Sequence, residues 1–495
     1  MTNANANANA VRVTRALVRG DRDDWNARSR AGWNARSRAR ASASASASGS
    51  PETRLASWLR NRFAFDALAL TLERPPGDDG YGVRATCVCD DGIARGDVIV
   101  AIPRDAMLDA RSALGDAAFE RARARGLSSF QLLTVSLLRE WRLKDTTSRW
   151  KPYLDTLPED DGRWHPLLWR DEDVEQHLPA NSTHAGARLR GLIRACEEDT
   201  RLFRSIVDEL NIDDENWPSM RHVRWAVSIV ISRAFRLNEL DDEECLREVR
   251  DDALLETLND LDADCWEGSG GDSGEDDEFS VMALVPWADG LNHSSDAGDE
   301  AILTYDTLSQ TATLRAHKAY ACGEQVFDSY GSNLSDEDLF VNYGFVDVQS
   351  SRTNFVEFSG EDFLRAASEI GFQMHAKAED DDTSFIDPKA ALLRVDSVVG
   401  VGENAMFFGE CFLEYNEQDV ENVVLRTFSH LLDSASTRAC DDLVVKARET
   451  LGNLREGDTL VGFKAAAYVL CREQEAIEAA RSAVARQLSM CDNSN

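Results

Sequence analysis

The residues able to do chemistry in this chain are gathered in four short segments. They are Asp79-Gly80-Tyr81-Gly82-Val83, Ser232-Arg233-Ala234-Phe235, Asp289-Gly290-Leu291-Asn292-His293-Ser294, and Tyr330-Gly331, which Asn342-Tyr343-Gly344-Phe345-Val346 follows with its tyrosine thirteen residues on. Paired glycines let a backbone come close to a ligand. A guanidinium is a charge-assisted donor, an Asn-His pair offers donors and acceptors, and a phenol is a donor that ionises only near pH ~10. Each segment alone also has a structural explanation. A GxG between strands makes a tight turn or bulge, and Asn-His makes a satisfied polar bend. A Tyr-Gly pair is a packed ring beside a turn, and an arginine on a helix is usually solvated. The signal lies in the combination and its order.

Hydrophobic periodicity supplies the elements that must hold these segments. Leu55 to Leu72 reads as a helix, followed by a turn at Pro75-Pro76-Gly77. Strand-like pieces follow at Tyr81 to Cys89 and at Val98 to Ile102, the second stopped by Pro103. From Ala113 to Leu240 the period is helical: Phe130, Leu133, Leu137 and Trp141 share a face that Ser128 or Ser129 would cap. Trp217 to Leu237 reads as another long helix. Residues 239–278 are dominated by Asp, Glu, Gly and Ser and read as a flexible, solvated insertion. Its glycines are no phosphate cradle, because their acidic neighbours repel phosphate. Strand patterns return from Phe279 to Phe345, and residues 355–495 are mainly helical. There Val420, Val424, Phe428 and Leu431 mark one amphipathic helix. Phe463, Ala467, Leu470, Ile477, Val484 and Leu488 mark a longer one whose stripe reads as core.

A length of 495 residues fits two folded domains plus extensions. The net charge of −34 repels phosphates, so nucleic acid is not an expected partner; it reads as a well-solvated surface first and as a match for basic protein segments second. No apolar run reaches the roughly eighteen residues a membrane-spanning helix needs. Ten scattered cysteines, with only Cys87 and Cys89 close together, read as free thiols in a reducing compartment. Residues 1–50 hold nine arginines and three aspartates, so the acidic balance belongs to the rest. Arg-rich, Ser-rich and acid-poor, residues 1–54 have the composition of an organellar transit peptide or of a disordered low-complexity tail.

Together and in this order the four segments resemble the SET-domain protein methyltransferases, in the branch typified by Rubisco large-subunit lysine methyltransferase. The resemblance covers roughly residues 55–490. It extends to Ile93 to Pro103, to Trp150-Lys151-Pro152-Tyr153-Leu154 with Leu157-Pro158, and to Gly323-Glu324-Gln325-Val326-Phe327 before Tyr330. The tail Phe463 to Val484 looks like the last helices of that branch's substrate-binding domain. No cysteine cluster follows the final YGF, so the zinc-binding post-SET segment is missing, as in this branch, and no metal is expected. The implied fold is α+β. It has a β-rich SET domain over 55–350, with a helical insert at about 113–238 and the acidic insertion at 239–278. An all-α domain over 351–495 follows.

The resemblance also implies roles. The cofactor is S-adenosylmethionine, bordered by Asp79, Gly80, Tyr81 and Gly82, with Arg233 reaching its carboxylate and Asn292 and His293 contacting its amino-acid end and adenine. Tyr330 matches the active-site tyrosine, whose hydroxyl holds the transferring methyl through weak CH···O contacts and orients the amine. Tyr343 lines the channel for the target side chain, and Tyr305 is the candidate for a further channel aromatic. Gly290, inside the family's Asp-Leu-x-Asn-His bend, is expected to loosen it. A lysine must arrive neutral, and desolvation beside a sulfonium shifts its pKa that way, so no general base is required.

The leading expectation is methylation of a lysine on a non-histone protein by a monomeric enzyme. A histidine target on the same fold and a catalytically inactive SET scaffold are the alternatives. A plastid leader implies chloroplast localisation and a plastid enzyme such as Rubisco as substrate; without it, cytoplasmic or nuclear proteins are the expected targets. Neither nucleic acid nor membrane is expected as a partner.

Overall fold

The computed structural model of the chain describes residues 49–494, apart from 64, 66–68, 75–82, 160–163, 181–182, 208–216, 238–280, 301–302, 307–308, 332–333, 349–354, 373–387, 389–390, 413–419, 439–440 and 453–458. Most of the leader, the segment Asp79, Gly80, Tyr81 and Gly82, and the acidic insertion 239–278 lie outside the described residues.

Helix α1 (Pro51–Phe63) opens on a proline, whose missing N–H costs nothing in a first turn, and buries Leu55 and Leu59. The sequence predicts helix as far as Leu72, but the chain leaves it after Phe63. Leu70 and Leu72 are buried while Glu73 is exposed, a period of two that suits β1 (Leu70–Glu73), which pairs antiparallel with β2 (Arg84–Cys87). After β3 (Val98–Pro103) and the short β4 (Leu108–Asp109) the chain becomes helical. Helix α2 (Ser129–Arg142) starts in a capping box, with Ser128 accepting from the Gln131 amide and Gln131 returning the bond to the Ser128 amide. Helices α3 (His184–Ser205) and α4 (Met220–Arg233) follow.

The predicted helix over 217–237 overshoots by a turn. Helix α4 stops at Arg233, and β5 (Ala234–Leu237) is paired residue for residue with β6 (Val281–Leu284). Strand β4 pairs with the same β6, so both ends of the helical insert are fastened to one strand. This break leaves Arg233 at the end of a buried helix, beside the turn that follows β6.

Strand β7 (Asn292–His293) precedes β8 (Thr304–Asp306) and β9 (Thr311–Arg315), which with β3 form one antiparallel sheet. Strand β10 (Phe327–Asp328) lies parallel to β7. The predicted run of strands is then broken by α5 (Asp336–Tyr343), which Ser335 caps and whose first turn is all acidic, a pairing that favours helix over strand. Strand β11 (Phe345–Asp347) ends this part.

The C-terminal region is mainly helical, with α6 (Gly360–Glu369), α7 (Glu403–Phe412), α8 (Val420–Arg438), α9 (Asp441–Leu451) and α10 (Gly462–Ser494). It adds a sheet that its helical periodicity does not announce, β12 (Phe355–Ser359), β13 (Leu392–Asp396) and β14 (Gly400–Val401). Phe363, Phe408 and Phe428 centre its core, with ring centroids 5.7 and 4.9 Å from that of Phe363. Helix α10 serves three clusters; of its predicted stripe, Ala467 and Leu470 pack with Ala447 of α9, whereas Phe463 is largely exposed. Ala465, Ala466 and Val469 join the core built on residues 55–346, while Ala480 and Val484 join the one around Phe363. Strand β15 (Thr459–Val461), just before α10, pairs antiparallel with β11. Among the described residues, no helix is long and apolar enough to cross a membrane.

Candidate active site

The turn after β6 carries the site. Trp287 enters it with a φ of +79°, its buried ring edge-on to Phe65 at 5.8 Å. A short 3-10 turn, Ala288–Gly290, delivers the chain to β7. Gly290 is buried within this turn. A Cβ there would lie 2.9 Å from Leu72 Cδ1, so the glycine lets the turn press onto β1.

Two opposed segments then close on each other. Asn292 pairs with Phe327 and His293 with Asp328, and the Ser294 amide donates to the Asp328 carbonyl at 2.9 Å. This register carries Tyr330 back over the bend. Its amide donates to His293 Nδ1 at 3.1 Å, and its hydroxyl donates to the Leu291 carbonyl at 2.9 Å. The Tyr330 ring is stacked between two others, His293 at 5.3 Å and Tyr343 at 4.7 Å. Phe345 stands edge-on to Tyr330 and to Tyr343, both at 6.4 Å. Gly344 permits this crossing of chains. It caps α5 at a φ of +82°, and a Cβ on it would lie 2.2 Å from the Trp164 carbonyl oxygen.

Arg233 approaches from the end of α4. Its Nη1 donates to the Asp289 carbonyl at 2.8 Å and lies 3.5 Å from the Asp289 carboxylate. The fully buried Tyr153 donates its hydroxyl to the same carboxylate at 2.8 Å. Burial pushes the Asp289 carboxyl above the usual carboxylate range, against the pull of Arg233 and the Tyr153 hydrogen bond. Burial likewise pushes the Tyr330 phenol up, with Arg233 opposing. Tyr330 is therefore a neutral donor across the physiological range and not a base. Arg233 Nε is buried without a hydrogen-bond partner among the described residues.

Arg233, Asn292, His293, Tyr330 and Tyr343 are thus brought into one region. Tyr305 sits in the β8–β9 hairpin, where its hydroxyl donates to Gln310 at 2.9 Å. The ring set against both stacked tyrosines is Phe345. Sequence reading passed over Phe345 as a wall residue, the Leu291 carbonyl as the phenol's acceptor, and the Tyr153–Asp289 support of Arg233. Tyr153 stands inside the Trp150 to Leu154 match, but its partner lies 136 residues away in the chain.

The arrangement offers hydrogen-bond donors, a partly buried guanidinium paired with the Asp289 carboxylate, and a stack of rings. Such a site can position two reactants and exclude water.

No protein-family model matches the chain. Its sequence is 24% identical over 316 residues to N-lysine methyltransferase setd6 of Xenopus laevis, covering 62% of this chain and 60% of that protein. It is 23% identical over 282 residues to the chloroplastic ribulose-1,5-bisphosphate carboxylase/oxygenase large subunit N-methyltransferase of Nicotiana tabacum, covering 53% and 45%. The chain spans about half the length of the curated relatives it matches. Its fold is similar to the crystal structure of the SET domain of LSMT bound to lysine and AdoHcy, with a TM-score of 0.60 at 14% identity over 90% of this chain and 92% of that one. Rubisco LSMT bound to AdoMet is similar to a TM-score of 0.58 at 16% identity, over 90% and 94%. The chain thus has an α+β fold similar to that of Rubisco LSMT, and its sequence is similar to N-lysine methyltransferases.

Proposed function

We propose that this protein transfers a methyl group from S-adenosylmethionine to a lysine side chain of another, non-histone protein. The observation that carries the reading is the Tyr330 hydroxyl, held on the Leu291 carbonyl inside the stack of His293, Tyr330 and Tyr343. A phenol and a carbonyl fixed side by side form an oxygen-lined aperture, suited to holding a methyl by weak CH···O contacts. The relatives named as N-lysine methyltransferases support the same chemistry.

Two features fit the cofactor. Arg233 has a buried Nε with no partner among the described residues, so a donor stands ready for a carboxylate. Asn292 and His293, fixed by pairing with β10, would present their backbone and side chains to the amino-acid and adenine ends. Asp79, Gly80, Tyr81 and Gly82 would border it, although they lie outside the described residues. The cofactor supplies an electrophilic methyl on a sulfonium. The protein's part is positional: Tyr330, Tyr343 and Phe345 strip water from the incoming ammonium, which lowers its pKa and favours the free amine.

The leader's composition and the chloroplastic relative support a plastid location, with Rubisco the first substrate to assay. A fluorescent fusion of residues 1–54 tests the location, and a diffuse cytosolic signal removes the plastid argument.

The activity is tested by tritiated-methyl transfer into cell extracts by wild type and Tyr330→Phe. The phenylalanine keeps the stack and removes the hydroxyl. We expect transfer to fall on the order of a hundredfold, as when one preorganised donor is lost from a reacting centre. Acid hydrolysis of the labelled protein should release methyl-lysine. Methyl-histidine would move the target to the other side chain, and no label with wild type across many extracts would sink the reading.

A further inference from the structure

Helix α5 ends on Tyr343, so whatever fixes α5 fixes one wall of the proposed channel. Arg188, on α3, reaches two turns of that helix at once. Its Nη1 donates to Asp338 Oδ1 at 2.6 Å and its Nη2 donates to Asn342 Oδ1 at 3.3 Å. The second oxygen of Asp338 accepts from the Ser335 amide and hydroxyl at 2.9 and 2.7 Å, completing the helix cap. The Arg188 side chain is only 9% exposed, so solvent screens these bonds little.

Asn342 is held from its main chain as well. Burial pushes His165 down to about 4, so its imidazole is neutral. Its Nδ1 accepts from the Leu167 amide at 3.2 Å, which leaves the proton on Nε2 to donate to the Asn342 carbonyl at 3.1 Å. On the other side of Tyr343, Gly344 is pressed against Trp164. The tyrosine is thus bracketed by an asparagine bound through both side chain and carbonyl and by a glycine that has no room to shift.

We infer that Arg188 is a positioning residue for the acceptor channel, acting through Asn342 to hold the Tyr343 ring against Tyr330. The inference rests on the proposed lysine methylation for its effect on catalysis, but its structural half stands without it. A guanidinium can bridge an aspartate and an amide one helical turn further on because its N–H groups form a rigid planar fork. An ammonium is a single point and satisfies one of the two. Arg188→Lys is therefore the informative change: it keeps a positive charge for Asp338 and Glu337 while releasing Asn342.

The full-length chain is compared as wild type, Arg188→Lys, Asn342→Ala and the double variant. Amide hydrogen exchange over residues 339–347 reads the positioning, with α2 as an internal reference. Tritiated-methyl transfer to free L-lysine at varied concentration, and S-adenosylhomocysteine binding by calorimetry, read its consequence. In either single variant we expect exchange over 339–347 to quicken about tenfold with α2 unchanged. The KM for L-lysine should rise about tenfold, with kcat and S-adenosylhomocysteine affinity within about twofold. The double variant should be no worse than the singles, because both cut one bond. Unchanged exchange over 339–347 overturns the inference. So does a loss that spreads to α2 with kcat, KM and affinity failing together, which marks a merely structural role. A wild type that binds S-adenosylhomocysteine but labels neither lysine nor any extract removes the proposed activity, and the exchange result still decides the placement of Tyr343.

Discussion

The two ends of α5 lie in regions of opposite character. At its first turn Asp336, Glu337 and Asp338 meet His184 and Arg188 from α3, and Arg472 and Glu473 from α10. Glu337 holds the His184 imidazole up to about 10, whereas burial and the neighbouring Glu337 push the Glu473 carboxyl up to about 7. At its last residue the company is neutral: Tyr343, Tyr330, Phe345, and behind them the uncharged His165. Charge is concentrated where partners exist to match it, while rings line the end where, in the proposed reaction, an amine must shed its proton. A site of this kind has no use for a titrating base, but it depends on a scaffold that holds rings in register. That scaffold is the charged end.

The largest expected effect comes from breaking the neutral end at its pivot. Gly344→Ala puts an L-residue at a φ of +82° with its Cβ 2.2 Å from the Trp164 carbonyl oxygen. The conformational penalty and the collision together should cost about 3 kcal/mol. Urea denaturation measures it, and a variant within experimental error of wild type would show that the chain crossing at 344 is not rigid. A smaller effect comes from the charged end. His184→Ala removes the cation facing Glu337, whose carboxyl His184 and Arg188 hold below the usual range against the opposing effect of burial. The folded pKa of His184 is raised, so its contribution is complete below its unfolded value near 6.5 and disappears as pH rises through about 10. Its side chain is 49% exposed, so screening limits the loss to about 1 kcal/mol at pH 6. The difference between variant and wild type should shrink towards zero by pH ~10.5. A difference that grows with pH would mean that His184 is not paired as a cation.

What could be read in advance follows the same division. The neutral end is written in short motifs. Tyr330, Tyr343 and the Asn292-His293 pair are close in the chain to the turns that hold them, and their order alone resembles a family. Local signals also fixed the capping of α2 and the stop of β3 at Pro103. The charged end was invisible, because His184, Glu337 and Glu473 come from three distant stretches and each reads alone as a solvated face. The same limit explains the misjudged elements. Ala234 to Leu237 continues the helical pattern of α4, and only the presence of β6, a long way downstream, makes it a strand. Periodicity could place most of the stripe of α10 in a core but not show that the helix serves three clusters or that Phe463 is exposed.

The smallest expected effect bears on which ring completes the neutral end. Tyr305 was the candidate from its place after the Asn-His pair, whereas Phe345 is the ring that stands edge-on to both stacked tyrosines. An edge-to-face contact is worth about 0.5–1.5 kcal/mol beyond its buried area, so Phe345→Leu, which keeps apolar bulk, should raise the KM for L-lysine about threefold. Tyr305→Phe removes only the hydroxyl bonded to Gln310 and keeps the ring, so the same KM should stay within about twofold of wild type. The reverse ranking would assign the third wall to the β8–β9 hairpin. The neutral end would then depend on the sheet that holds β3, and the rigid scaffold of α5 would govern only one side of the aperture.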